Sequence, residues 1–245
     1  MNSSAKKNFI YSSIYQVLVL VLPLITTPYV SRIFGAENLG VYSYTNTIAQ
    51  YFVIFAMLGL NNYGNRAVAI ARDNQDELDA VFSEIYTMQV VTGILSVLVY
   101  LVYALFIAGE YKTYSWILTL YVLSAVFDIN WLFFGLEKFK LTVTRNSIIK
   151  IGSLIAILLL VKSKEDLWIY TSIYAVSMLL STIALWPYAR KEVHYHLPKM
   201  EDVLKHLKPN MVMFIPVIAI SIYKYMDKLM LGGFSKTETG YYENV

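Results

Sequence analysis

The chain reads as an all-α integral membrane protein, a polytopic helical bundle with about seven spans. Three observations predict that class. Hydrophobic residues make up 57% of the sequence and charged residues 15%, whereas soluble domains carry roughly 25% charged. Mean hydropathy is +0.52. Apolar runs of about 20 residues, the length of a bilayer crossing, recur along the whole chain between short polar connections. These runs lack the period-two alternation of a membrane barrel, which leaves helices.

The first run follows Lys6 and Lys7, as in a signal peptide. No small-residue cleavage site follows it, and it continues through Pro23 and Pro28, so residues 9–31 form an uncleaved first span. Further spans fall at 40–61, 82–108, 114–134, 143–161, 167–188 and 209–231. The longest polar connection is 189–208. Within it, 199–208 (KMEDVLKHLK) reads either as a short amphipathic surface helix or as a solvated linker.

Lys and Arg set the orientation. One side of the alternation holds Lys6, Lys7, Arg66, Arg72, Lys138, Lys140, Arg145, Lys150, Arg190, Lys191, Lys199, Lys205 and Lys208. The other holds only Arg32, Lys112, Lys162, Lys164 and Lys236. The excess places the N-terminus in the cytoplasm. Tyrosines near span ends, among them Tyr11, Tyr29, Tyr42, Tyr111, Tyr114, Tyr170 and Tyr188, are expected to anchor at the membrane–water interfaces.

Two stretches share a pattern at an offset of 200 residues. IFGAENLGVYSY (33–44) and GFSKTETGYYEN (233–244) match at Phe34 and Phe234, Gly40 and Gly240, and Tyr42 and Tyr242. Each follows an apolar run containing two prolines. A repeat of this length holds six spans, an even number, so both copies share one orientation, as in transporters built of parallel repeats. The expected domains are then 1–198, a first six-helix bundle, and 199–245, a linker helix plus the first span of a second bundle. On that reading the 245 residues are the first half of a longer protein. The plainer alternative is a complete seven-helix protein.

Charges at bilayer depth cost roughly 2.5–3.5 kcal/mol on insertion scales and mark function where they face water. The candidates are Arg32 beside Pro28 and Gly35; Asn62 and Arg66 in an amide-rich segment around Gly64; Asp128 near Asn130 and Trp131; and Lys224, Asp227 and Lys228 in the last span. Lys224 and Lys228 share one helical face at i, i+4. Headgroup snorkelling, helix capping or local ion pairing are the structural alternatives for each. Gln16, Thr26, Asn46 and Gln50 read as interhelical hydrogen-bonding residues. There is no cysteine, no HExxH, no Walker loop, no GxSxG and no carboxylate pair at metal-ligand spacing;. His194 and His196 form a lone HxH in a loop. Neither a metal, a cofactor nor an enzymatic centre is therefore expected.

The segments TPYVSRIFGAENLGVYSY (27–44), LGLNNYGNRAVA (58–69), DINWLFFGLEKF (128–139) and DKLMLGGFSKTETGYY (227–242) resemble, in this order, the Wzx-type polysaccharide repeat-unit flippases. These belong to the multidrug/oligosaccharidyl-lipid/polysaccharide exporter superfamily. The resemblance implies about 12–14 spans in two parallel six-helix bundles around a cavity. It implies transfer of an undecaprenyl-diphosphate-linked oligosaccharide across the cytoplasmic membrane, for capsule, O-antigen or exopolysaccharide synthesis. Membrane lipids, a polysaccharide polymerase and chain-length proteins are the implied partners. Arg32, Asn62, Arg66, Lys224 and Lys228 would hold the headgroup. Asp128 would carry a coupling proton or sodium ion, and Asp227 would pair with the neighbouring lysines. One charge pair at about 4 Å contributes ~4 kcal/mol at an effective dielectric near 20. A cation-coupled drug or small-molecule exporter of the same superfamily is the alternative.

Overall fold

The structure, a computed structural model, describes residues 3–243, with side chains from Gln16 onward except Leu18. The side chains of Lys6, Lys7 and Tyr11, and the whole of Asn244, lie outside the described residues. The fold is all-α, and no strand occurs among the described residues.

Helix α1 spans Ser3–Met57 and contains Pro23 and Pro28. It breaks at Gly35 (φ 68, ψ 177), a conformation open to glycine and strained for other residues. The two arms fold back on each other, since Val19, Leu22 and Thr26 on one arm line the same cavity as Val53 on the other. The second arm ends at Leu58 (φ 44) and Gly59 (φ 85). Helix α2 (Leu60–Ala71) follows. Helix α3 (Gln75–Val102) starts where the Asn74 side chain accepts from the Asp76 N–H at 3.1 Å, with Asp76 and Glu77 in its first turn;.

Helices α4 (Lys112–Ser124) and α5 (Asn130–Gly135) are two parts of one crossing. Helix α6 is Phe139–Leu160 and α7 is Leu167–Ile183. Between them Ser163 and Asp166 cap each other's backbone;. A short α8 (Trp186–Ala189) leads to the linker. Helix α9 (Met200–Phe234) and α10 (Lys236–Glu243) are separated by Ser235 in extended conformation.

Among the described residues, six segments are long and apolar enough to cross a membrane: Val19–Ala71, Gln75–Ile107, Gly109–Gly135, Phe139–Leu160, Lys164–Ala189 and Met200–Phe234. The first has 53 residues. At ~1.5 Å per residue it would be about 80 Å long, against a hydrocarbon core of about 30 Å. With its break at Gly35 it supplies two crossings. The protein is thus a multi-pass membrane protein. Of the two readings of 199–208 the structure has the helix, but not as a separate short one: from Met200 it forms the first turns of α9, which continues through Pro209 and Pro216.

The connections gather at two ends. At the Gly35 end, Tyr29 donates to the Val161 carbonyl at 2.8 Å, Asn38 to the Lys164 carbonyl at 3.2 Å, and Lys236 pairs with Glu110 at 2.6 Å. At the linker end, Arg72 pairs with Glu137 at 2.6 Å, and Lys138 pairs with Glu192. Two tyrosines expected at the interface are instead buried or nearly so near the Gly35 end. Tyr42 packs edge-on against Tyr170 at 4.8 Å, and Phe34 meets the same ring at 5.6 Å. Edge-on aromatic pairs of this kind contribute about 0.5–1.5 kcal/mol beyond the area they bury.

The two stretches matched at an offset of 200 residues lie against each other. A Cβ on Gly40 would sit 1.7 Å from the Lys236 carbonyl oxygen, and one on Gly240 would sit 1.7 Å from that of Ala36. The contact is reciprocal, 40 with 236 and 240 with 36, which is the signature of a local two-fold. Ser43 and Glu243, also 200 apart, are hydrogen-bonded to each other.

Candidate functional site

The crossing formed by α4 and α5 is broken at Asp128, whose backbone is extended (φ −78, ψ 100). Breaking a helix at membrane depth frees carbonyls that cost several kcal/mol if left bare. Gln89 of α3 covers them: its Nε2 donates to the carbonyls of Ala125 at 2.7 Å and Asp128 at 2.8 Å. Its Oε1 accepts from Trp131 Nε1 at 2.9 Å. Trp186 Nε1 donates to the Phe127 carbonyl at 3.1 Å. Gln89, Trp131 and Trp186 therefore hold open an irregular backbone, which membrane proteins tolerate where it lines a cavity.

Such a cavity is present, with a volume of about 460 Å³. Asp128 lines it, and its Oδ1 accepts from the Asn130 backbone N–H at 3.0 Å and from Asn130 Nδ2 at 2.6 Å. Asn130 Oδ1 accepts in turn from Arg145 Nη2 at 2.9 Å. That same nitrogen donates to Asn146 Oδ1 at 2.6 Å, and Arg145 Nη1 donates to the Ser181 carbonyl. Helix α6 turns Asn146, Lys150 and Ser153 into the cavity at i, i+4 and i+7, a single helical face;. Ser153 meets Ser177 of α7 at 2.6 Å. The first arm of α1 closes the opposite wall with Val19 and Leu22. Among the described residues, the result is a chamber of mixed polarity at membrane depth, with one carboxylate and one ammonium set among apolar side chains and a buried guanidinium behind the carboxylate.

The other residues singled out in the sequence do not gather at this chamber. Arg32 is exposed at the Gly35 end, and Asn62 and Arg66 are exposed on α2 at the linker end. Lys224 is exposed, its ammonium 5.3 Å from the centroid of the Tyr225 ring. Lys228 is half-buried and pairs with Glu243 at 2.6 Å. Asp227 accepts from the Tyr242 hydroxyl at 2.8 Å rather than from Lys224 or Lys228. Among the described residues, neither lysine lies within ion-pair distance of Asp128.

The model of the family described as "Polysaccharide biosynthesis protein" matches residues 5–245. The chain belongs to that family. A relative from Escherichia coli (strain K12), named "Putative O-antigen transporter", is 25% identical over 237 residues, covering 95% of this chain and 57% of its own length. A relative of the same name from Shigella dysenteriae is 23% identical over 233 residues, covering 94% of this chain and 59% of its own. The chain thus spans a little over half the length of these relatives. No solved structure matches it.

In this polysaccharide biosynthesis protein, sequence reasoning passes over Arg145, Lys150 and Gln89 as site residues. It counts Arg145 and Lys150 as loop charges, although both lie inside the span at 143–161, and that position is the available signal. Gln89 gives none, because the carbonyls it covers are free only once the chain breaks at Asp128. A second polar group, at the linker end, is equally silent in the sequence. His206 lies between Glu84 Oε2 at 2.7 Å and the Tyr63 hydroxyl at 2.6 Å, and Lys205 reaches Glu84 Oε1 at 3.0 Å. His194 and His196, the lone HxH, bind Asp79 and Ser83 of α3.

Proposed function

We propose that this protein moves a lipid-linked oligosaccharide across the cytoplasmic membrane, with its N-terminus in the cytoplasm, and that it does so by transport without a chemical step. The observation that carries the reading is the chamber around Asp128, which sets a carboxylate, an ammonium and several amides and hydroxyls among apolar walls in a membrane-spanning bundle of a polysaccharide biosynthesis family. A bundle needing only stability would fill that volume with apolar side chains, since cavities and buried charges both cost free energy. The substrate is an undecaprenyl-diphosphate-linked repeat unit destined for O-antigen, capsule or exopolysaccharide, handed on to a polymerase and its chain-length partners.

The diphosphate is the part that hydrocarbon excludes. Arg32, Arg66, Lys224 and Lys228 supply positive charge along its route, and Asn62 offers an amide to phosphate or sugar. Asp128 serves the coupling ion, proton or sodium. Its partner Asn130 links it to Arg145, so a change of charge at Asp128 is felt by the α6 wall of the chamber.

The test is complementation. A strain lacking its repeat-unit flippase regains surface polysaccharide with the intact wild-type gene and loses most of it with Asp128→Asn or with Lys224→Leu plus Lys228→Leu, at equal membrane abundance. Full restoration by the Asp128→Asn gene would remove the coupling role. Export of cationic dyes without any restored polysaccharide would replace the flippase reading with that of a small-molecule exporter.

A further inference from the structure

Among the described residues, Lys228 is the one headgroup candidate paired with a carboxylate. Its Nζ lies 2.6 Å from Glu243 Oε2, and both side chains are half-buried, at 23% and 31% exposed. The same carboxylate oxygen accepts from Ser43 Oγ across the reciprocal contact between α1 and α10. One oxygen thus joins the cation of α9 to the wall of α1. Ser43 is 3% exposed.

The rest of that contact is close packing of small residues. Gly40 and Gly240 bring backbone onto backbone, and the buried residues of α10 are Thr239 and Gly240. None of its apolar side chains enters the hydrophobic cluster of Val30, Phe34, Leu39 and Tyr42 beside it. The Glu243 carboxylate is the charged link between α10 and α1. Asp227 is bound to Tyr242, one residue before Glu243, so α10 stays tied to α9 when the carboxylate lets go.

We propose that Glu243 is a stand-in for the substrate's diphosphate: it neutralises Lys228 while the Gly35 end is closed, and an arriving lipid-borne diphosphate replaces it there, taking away Ser43's acceptor and freeing α10 from α1. This rests on the reading of Lys228 as a headgroup cation. The exchange swaps one anion for another, so Lys228 is never left as a bare charge at depth, which is the costly state. It also ties the opening of this end to occupancy by substrate, because a single oxygen serves both the cation and the clasp.

The chain has no cysteine, so spin labels can be placed at will. Glu37→Cys and Thr237→Cys, both exposed and 200 residues apart, flank the contact. In the intact protein in lipid nanodiscs, the label distance is expected to be short and to lengthen by several ångströms on adding polyprenyl diphosphate. Polyprenyl monophosphate, with less charge, is expected to shift fewer molecules. Glu243→Gln is expected to show the long distance without ligand and no further response, and Glu243→Asp to recover the short one. A Glu243→Gln distribution identical to wild type overturns the proposal, as does a wild type that ignores polyprenyl diphosphate. Equal lengthening by inorganic pyrophosphate overturns the lipid headgroup as the displacing species. Complementation with the wild-type gene reports on transport itself, so its failure is separable from failure of the clasp.

Discussion

The two ends of α9 meet the rest of the protein in opposite ways. At the linker end, Gln75, Asp79, Ser83 and Thr87 form a stripe at four-residue spacing along α3. They take, in turn, the Glu192 carbonyl at 2.9 Å, the His194 N–H at 2.9 Å, the His196 N–H at 3.1 Å and the Tyr195 hydroxyl at 3.0 Å. Glu84 adds Lys205 and His206. Val193 and Val203 enter the same hydrophobic cluster as Phe82, Ile85 and Trp131. At the Gly35 end, α10 offers that cluster's counterpart no apolar side chain and meets α1 through glycine backbone and one carboxylate. Separating the first contact exposes apolar area, at about 25 cal/mol per Å², and strands several polar groups. Separating the second parts glycine backbone from backbone and releases one carboxylate. In a protein that must open at one end while staying joined at another, the first contact is suited to persist and the second to release.

The largest expected effect comes from Gly40→Val. Its Cβ would overlap the Lys236 carbonyl oxygen, a backbone atom that cannot swing aside. Overpacking costs about 1–3 kcal/mol, and the upper end applies here. Surface polysaccharide in the complementation strain is expected to fall sharply, while hydrogen exchange across 192–206 stays as in wild type. Faster exchange there would mean that the two contacts are one cooperative unit. Next in size is Glu84→Gln, which withdraws the charged acceptor from Lys205 and His206. A buried polar group left short of a partner costs about 1–3 kcal/mol, and roughly 2 is expected because Lys205 is half-exposed;. This variant should speed exchange in 192–206 and leave the 37–237 label distance unchanged, the mirror image of Gly40→Val.

The crossings are legible in the sequence because hydropathy reports directly on the solvent a helix faces. The Gly35-end contact is not: the match at an offset of 200 residues reads as a repeat, and nothing in it says that 40 lies against 240 or that Ser43 meets Glu243. The chamber is only half legible. Asp128 stands out as a charge in an apolar run, but the nearness of Lys150 to Lys138 and Lys140 makes it read as a loop residue. Helix α6 begins at Phe139 and carries Lys150 three turns inward. Tyr42 and Tyr170 are expected in an interfacial belt, by a rule about span ends that ignores which ends meet other aromatics. The linker is illegible for another reason. Its fold depends on an i, i+4 stripe of modest polar residues on α3, whose partners are mostly backbone groups over a hundred positions away.

The smallest effects separate the parts of that stripe. Ser83→Ala removes the acceptor of the His196 N–H and is expected to cost about 1 kcal/mol, since Ser83 is fully buried and each net hydrogen bond contributes roughly that much;. His194→Ala keeps the His194 backbone N–H on Asp79 and loses only an imidazole that is 80% exposed. Pairs so open to water contribute between nothing and a few tenths of a kcal/mol. Thermal unfolding of the purified protein should therefore fall for Ser83→Ala and barely move for His194→Ala. If His194→Ala proved the more damaging of the two, the linker would be held by its side-chain charges rather than by its backbone and its two valines. The linker end would then be as open to release by a single competing charge as the Gly35 end, and the asymmetry between the ends of α9 would disappear.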